Sequence, residues 1–350
     1  MTGPRSRNDR MTETLKSVLR RLRENYVPSL LLSALAKPLW IGCHQLGNQL
    51  QTKVVRNGVT IQLPNGKKMT IGRDAGIGLA SLLFWRGLNG YEPETCAALR
   101  YFFARSSTFI DVGANCGFYS ILAALWNPAI KVIAFEPFQP IYERLSKNVD
   151  LNHLDTRILC ENIALSSRSG SASFNIPPAE GTDFATTGTL ATNSWQVRKS
   201  SPTVQVETIR FDEYEQRHPM HVDLIKIDVE DFEADVLEGM SATIQRDRPF
   251  IICEILERSG EHSNERTRAI IRELNYTPYW ITRSGYVRVS RFDFRRKDSQ
   301  DFILSPVSTN HEIIDDLSLL FDARSENRKN NLYAIDAEEK RLRGPAVASS

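Results

Sequence analysis

Residues 109–137 constrain the fold more than any other stretch of this 350-residue chain. They read Phe-Ile-Asp-Val-Gly-Ala-Asn-Cys-Gly-Phe-Tyr-Ser, then an apolar run, then Lys-Val-Ile-Ala-Phe-Glu-Pro. Phe109–Val112 is short, β-rich and apolar apart from Asp111, as suits a buried parallel strand. Gly113 and Gly117 bracket a turn in which the backbone can take unusual dihedrals and a ligand can approach closely. Phe118–Trp126 reads as a helix packed on the sheet, Lys131–Phe135 as a second strand, and Glu136 stands at its end. An acid about 20 residues after a glycine turn is where a doubly wound α/β sheet holds the ribose hydroxyls of a nucleotide-like cofactor.

The glycine spacing narrows the cofactor. A dinucleotide site uses Gly-x-Gly-x-x-Gly, which seats a pyrophosphate on a helix N-terminus. This chain has Asp111-x-Gly113-x-x-x-Gly117, with no middle glycine and a carboxylate at the strand end. Such a carboxylate repels pyrophosphate but suits a cofactor bearing an ammonium and a sulfonium, which points to S-adenosyl-L-methionine. The bland alternative is a βαβ unit with a purely structural turn.

The rest of the chain supports an α/β class. Val54–Leu63, Pro64-Asn65-Gly66 and Lys67–Ile71 form a hairpin pattern with a strong Asn-Gly turn signal. Residues 79–104 are rich in aromatics, including Phe84, Trp85 and Tyr91, and serve either as core or as a pocket wall; Glu92-Pro-Glu94 starts a helix. Helices are expected at 139–151, 233–239 and 264–274, and strands at 157–160, 222–228, 249–254, 276–282 and 301–304. Asn162 follows the third strand of the sheet, where it either reaches the adenine edge or completes a turn. The polar, turn-rich run 177–203 is too long for a plain connection and reads as a substrate loop or lid. Asp228, Glu230, Asp231 and Glu254 put acids at the ends of the fourth and fifth strands, facing the ligand crevice.

Composition excludes several classes. With 44 basic and 42 acidic residues the net charge is +2, so no nucleic-acid footprint is expected. Five scattered cysteines without Cys-x-x-Cys give neither a disulfide framework nor a zinc cluster. No metal ligand set is assigned: a divalent ion could sit among the acids, but sugar hydroxyls would use the same groups. No run of 18 apolar residues exists, so a cytoplasmic chain is expected. Residues 1–50 form a basic, then apolar extension. Its segment 12–46 either caps the main domain or lies peripherally on an anionic membrane surface. Residues 51–104 lead into the core, 105–306 form the catalytic domain, and 307–350 a C-terminal helix and mobile tail.

Taken together, the motifs resemble the FkbM family of S-adenosylmethionine-dependent methyltransferases. They include Tyr91-Glu92, Asp111–Gly117, Ala134–Pro137, Leu151-Asn152, Asn162–Ser166, Gly188–Leu190, Ile225–Glu230, Leu237–Gly239 and Arg248–Glu254, in order over residues 80–305. The family usually has glycine after Asp-Val-Glu; here Asp231 stands there. The resemblance implies a class I, Rossmann-like sheet of order 3-2-1-4-5-7-6 with the last strand antiparallel. It implies that Asp111, Gly113, Ala114, Asn115, Gly117 and Glu136 bind the cofactor. Asp228, Glu230 and Glu254 would then line the acceptor side, with Glu230 either the base or a hydrogen-bonding group. The implied reaction is methylation of a hydroxyl on a sugar, glycolipid or polyketide-like compound. A nucleic-acid enzyme of this fold commonly carries an Asp/Asn-Pro-Pro-aromatic loop, absent here; a binding protein that kept only the fold is the other rival.

Overall fold

The computed structural model describes residues 58–72, 77–176, 188–191, 202–256, 260–282, 285–289 and 300–307. The basic extension with its 12–46 segment, most of the 177–203 run and the tail from 308 lie outside the described residues. In chain order the elements are β1 (Val59–Gln62), β2 (Lys68–Ile71), α1 (Ile77–Arg86), α2 (Pro93–Phe103), β3 (Thr108–Val112), α3 (Phe118–Trp126), β4 (Lys131–Phe135), α4 (Gln139–Leu151), β5 (Ile158–Glu161), β6 (Ala164–Leu165), β7 (Gly170–Asn175) and β8 (Thr203–Ile209). There follow α5 (Phe211–Arg217), β9 (Leu224–Ile227), α6 (Glu233–Gly239), α7 (Ser241–Asp247), β10 (Phe250–Glu254), α8 (Gly260–Glu273), β11 (Tyr276–Thr282), β12 (Gly285–Arg288) and β13 (Asp301–Pro306).

The main sheet has eight strands in the order β12-β11-β13-β10-β9-β3-β4-β5. β5, β4, β3, β9 and β10 run parallel, and β13 is antiparallel to both β10 and β11. Numbered from β3, this is the order 3-2-1-4-5-7-6 with β12 added at the edge. β1 and β2 pair as a separate hairpin, and β6, β8 and β7 form a small second sheet.

Both faces of the main sheet are covered, which explains why its strands are apolar throughout. Phe109, Val132, Ala134, Leu224 and Ile252 pack with the hairpin and with α1, α2 and α3. Their neighbours Ile110, Val112, Ile133, Phe135, Ile225, Ile251 and Cys253 pack with Val236 and Leu237 of α6, Ile244 of α7 and Ile271 of α8. The two-residue period of the strands thus sorts side chains cleanly between two cores. Any polar residue at a position equivalent to Phe109 or Leu224 must lie against α1–α3. Asp111 and Lys226 are such residues, and they are direct partners across β3 and β9. Among the described residues no helix is long and apolar enough to cross a membrane.

Candidate active site

A cavity of about 380 Å³ opens at the C-terminal ends of the parallel strands. This is the crevice position expected of an open α/β sheet, and the volume falls within the usual range for small-molecule sites. At one end Glu136 is flanked by Phe138, Ile141, Ile163, Leu165 and Phe174; at the other lie Tyr91, Glu92, Tyr119, Asp228, Glu230 and Glu254. Phe138 and Phe174 stack at 5.8 Å, walling the Glu136 end.

The glycine turn is built by internal hydrogen bonds. Gly113 and Ala114 N–H both donate to Phe135 O at 3.0 Å, Gly117 N–H donates to Ala114 O, and Cys116 N–H donates to Asn115 Oδ1. Asn115 N–H donates to Glu136 Oε2 at 3.1 Å. Every amide from 113 to 117 is therefore spent inside the protein, and the turn offers none of them to a phosphate. Gly113 has φ +77°, and a Cβ there would stand 1.9 Å from Asp228 O, so this glycine lets the tips of β3 and β9 close together. Gly117 (φ +86°) lets Leu145 of α4 pack on the turn.

Glu136 is nearly buried, 7% exposed. Its two oxygens accept one amide each, from Asn115 and, at 3.0 Å, from Phe138. Burial raises its pKa to about 7 despite those two donors. Because each oxygen can accept more than one hydrogen bond, the carboxylate keeps capacity for ligand hydroxyls.

Three expected cofactor residues lie elsewhere. Asp111 is not among the cavity-lining residues; it is 2% exposed and accepts from Ser120 Oγ at 2.5 Å, tying β3 to α3. Burial raises its pKa to about 6. Gly117 sits behind the turn. Asn162 also stays outside the lining: its amide donates to Glu136 O (2.9 Å) and Pro137 O (3.1 Å), while Ile163, Ala164 and Leu165 face the cavity. Asn162 holds the loop that carries Glu136. Gly113, Ala114, Asn115 and Glu136 line the cavity.

Carboxylate oxygens of Asp228, Glu230 and Glu254 lie within 4.8 Å of one another, a spacing that hydroxyls or a divalent ion could bridge. Asp228 is bonded to Lys226 Nζ at 2.7 Å. Lys226 is 1% exposed and lies 4.8 Å from the Tyr119 ring centre. Burial works against its charge, but Asp228, Asp301 and Glu92 outweigh burial and hold its pKa above the usual lysine range. Burial, with Asp228 and Asp301 adding to it, pushes Glu254 well above the carboxylate range. Asp301 itself pairs with Glu254 across β10 and β13 and accepts from Thr95 Oγ1. Lys226, Asp301 and Glu92 were not singled out as site residues from sequence. A lysine inside Leu-Ile-Lys-Ile was the available signal, since a buried cation demands an acid.

Backbone strain concentrates here. Among the described residues seven non-glycine positions have positive φ; Glu92, Asn115 and Glu230 line the cavity, and Asp231 adjoins it. Asp231, at φ 78°, occupies the conformation that glycine adopts at least cost, and its N–H donates to Glu233 Oε1. Thr189 Oγ1 donates to Glu230 O at 2.5 Å, strapping segment 188–191 onto the acid-bearing loop.

The strand order and a crevice with acids on adjacent tips define a class I methyltransferase fold. Residues 111–278 match the methyltransferase FkbM domain. Over 146 residues the chain is 30% identical to the hexuronic acid methyltransferase AglP of Haloferax volcanii, a match covering 41% of this chain and 54% of that protein. Methyltransferase sdnD of Sordaria araneosa is 27% identical over 177 residues, covering 43% of this chain and 67% of sdnD. The chain thus spans about half the length of the first of these relatives and two thirds of the second. Among solved structures, the FkbM methyltransferase of Methylobacillus flagellatus KT aligns with a TM-score of 0.37 and 14% identity, covering 57% of this chain and 43% of that one.

Proposed function

We propose that this chain transfers the methyl group of S-adenosylmethionine to a hydroxyl on a sugar, glycolipid or polyketide-like small molecule. The observation that carries this reading is the donor set of the cavity. Its glycine turn has no amide from 113 to 117 left for phosphate, while carboxylates stand at both ends. That chemistry rejects a dinucleotide and suits a cationic nucleoside. Glu136 would accept the ribose hydroxyls, and the slot between Phe138, Ile163, Leu165 and Phe174 would take the purine. Bound cofactor supplies an activated methyl on a sulfonium.

The protein's part is then to place a hydroxyl and remove its proton. Asp228 is committed to Lys226, and burial together with Asp228 and Asp301 holds the Glu254 carboxyl well above the ordinary carboxylate range. Glu230 is thereby the base, held by a strained backbone and by Thr189. The hexuronic acid named for the Haloferax relative would bring a carboxylate into this acid-lined end, so a neutral hydroxyl acceptor fits better. Lys226 already supplies the positive charge beside Asp228, which favours hydroxyls over a divalent ion between the three acids.

The test is a panel of hydroxyl acceptors with isotope-labelled cofactor, read by mass spectrometry. Glu230→Gln is expected to lower turnover by roughly 10²–10⁴-fold while cofactor affinity stays. Unchanged turnover removes Glu230 from the chemistry. A native chain that binds no cofactor in calorimetry is instead a protein that kept only the fold.

A further inference from the structure

Glu92 lines the cavity, yet the chemistry above leaves it unused. Its backbone is left-handed, φ 37° and ψ 60°. It also precedes Pro93, whose ring disfavours that region for the residue before it. A glycine or asparagine would relieve the first cost, and a different successor the second. Such doubly disfavoured geometry persists where the side chain is needed.

The side chain is aimed. Tyr119 O–H donates to Glu92 Oε2, and Tyr119 is the second residue of α3, directly after the glycine turn. No hydrogen bond to the other carboxylate oxygen is found among the described residues. Asp301, Lys226 and Asp228 are the charged groups that act on Glu92, which places it towards β9 and β13, away from Glu136 on β4. The one cation in that group, Lys226, is bonded to Asp228 and does not line the cavity. Asp228 in turn has Glu230 and Glu254 within 4.8 Å, so this end carries an excess of acid, and its complement is a cation that can donate hydrogen bonds. A neutral hydroxyl acceptor brings none. A sulfonium is cationic but has no N–H to give.

We propose that Glu92 binds the ammonium group of the cofactor's amino-acid tail, oriented for that contact by Tyr119. This rests on the S-adenosylmethionine reading above. It gives the cavity two acidic anchors with separate tasks: Glu136 for the ribose diol and Glu92 for the tail.

Calorimetry on the full chain, native and Glu92→Gln, with three ligands decides it: S-adenosylmethionine, S-adenosylhomocysteine and 5′-methylthioadenosine, which lacks the tail. The variant is expected to bind the first two roughly ten- to a hundredfold more weakly, with 5′-methylthioadenosine unchanged. Should Glu92→Gln fail to fold in a melting assay, Tyr119→Phe, which removes only the orienting hydroxyl, is expected to show the same selective loss in smaller degree. Equal weakening for all three ligands, or no weakening for any, overturns this inference alone. A native chain that binds none of them overturns the functional reading and this inference with it.

Discussion

A lysine in the middle of an apolar strand is costly to bury, and Lys226 repays that cost only through its acids. Asp228 touches it, while Asp301 and Glu92 act on it through space. Replacing it by methionine keeps the volume and removes the counter-charge. Lys226→Met should therefore lower stability by about 3–5 kcal/mol at neutral pH, since it leaves buried acids unpaired. Urea denaturation measures this, and an equally stable variant would mean the acids do not depend on Lys226. Glu136 poses the opposite case, because its loss opens two amides as well as a ligand site. Glu136→Ala should weaken S-adenosylmethionine binding roughly ten- to a hundredfold, read by calorimetry. Only one of the two tasks proposed for Glu136 rests on the sequence: its place after the glycine turn suggests the ribose contact. Its amide partners depend on loop geometry that no spacing encodes.

At the level of elements, the turn between β3 and α3 was readable because glycine spacing and strand length are local. Its deeper reason was not, since Gly113 yields to Asp228 O, over 100 residues away in sequence. Gly113→Ala adds a Cβ into that contact at a positive φ. It should cost roughly 2 kcal/mol or more and abolish cofactor binding, as the tips of β3 and β9 are pushed apart; a melting curve with and without cofactor checks both. The placement of Asp111 behind the cavity was hidden for a related reason. A polar residue in an apolar strand faces either ligand or helix, and only the position of Ser120 on α3 settles which. Asn162 likewise had two possible partners, and the backbone of its neighbouring strand end took it. β7 escaped notice because Gly-Ser-Ala-Ser-Phe-Asn shows no alternation, and α7 because Gly239 reads as a stop where Met240 N–H still bonds to Val236 O. The acids on β9 and β10 were legible because they end apolar runs. Glu92 and Asp301 join them only through the fold.

Across the molecule, the buried acids predict how stability follows pH. Burial is the chief cause that pushes Asp111 up to about 6, Glu136 up to about 7 and Glu233 up to about 8, and it raises Glu92 as well. In the unfolded chain such groups release their protons near 3.8 to 4.5. From there up to about pH 8 the native state therefore holds more protons than the unfolded state. Stability must fall as pH rises through that window. Asp247 acts in the other direction: burial is outweighed by Arg246 and the Val222 amide, so its pKa lies below the ordinary value. Its contribution is lost only below the window and does not offset the trend. The ligand-free chain should consequently melt several degrees lower at pH 8 than at pH 6, at roughly 2–4 °C per kcal/mol for a domain of this size. A cationic cofactor favours the ionised acids, so its binding should release protons and tighten as pH rises. Saturating S-adenosylmethionine is then expected to narrow the melting gap. Calorimetry in two buffers of different ionisation heat should report the released protons directly. A melting temperature that is flat or rising between pH 6 and 8 would show that these acids are already ionised in the native chain, and that its cavity does not store the protons a cation would displace.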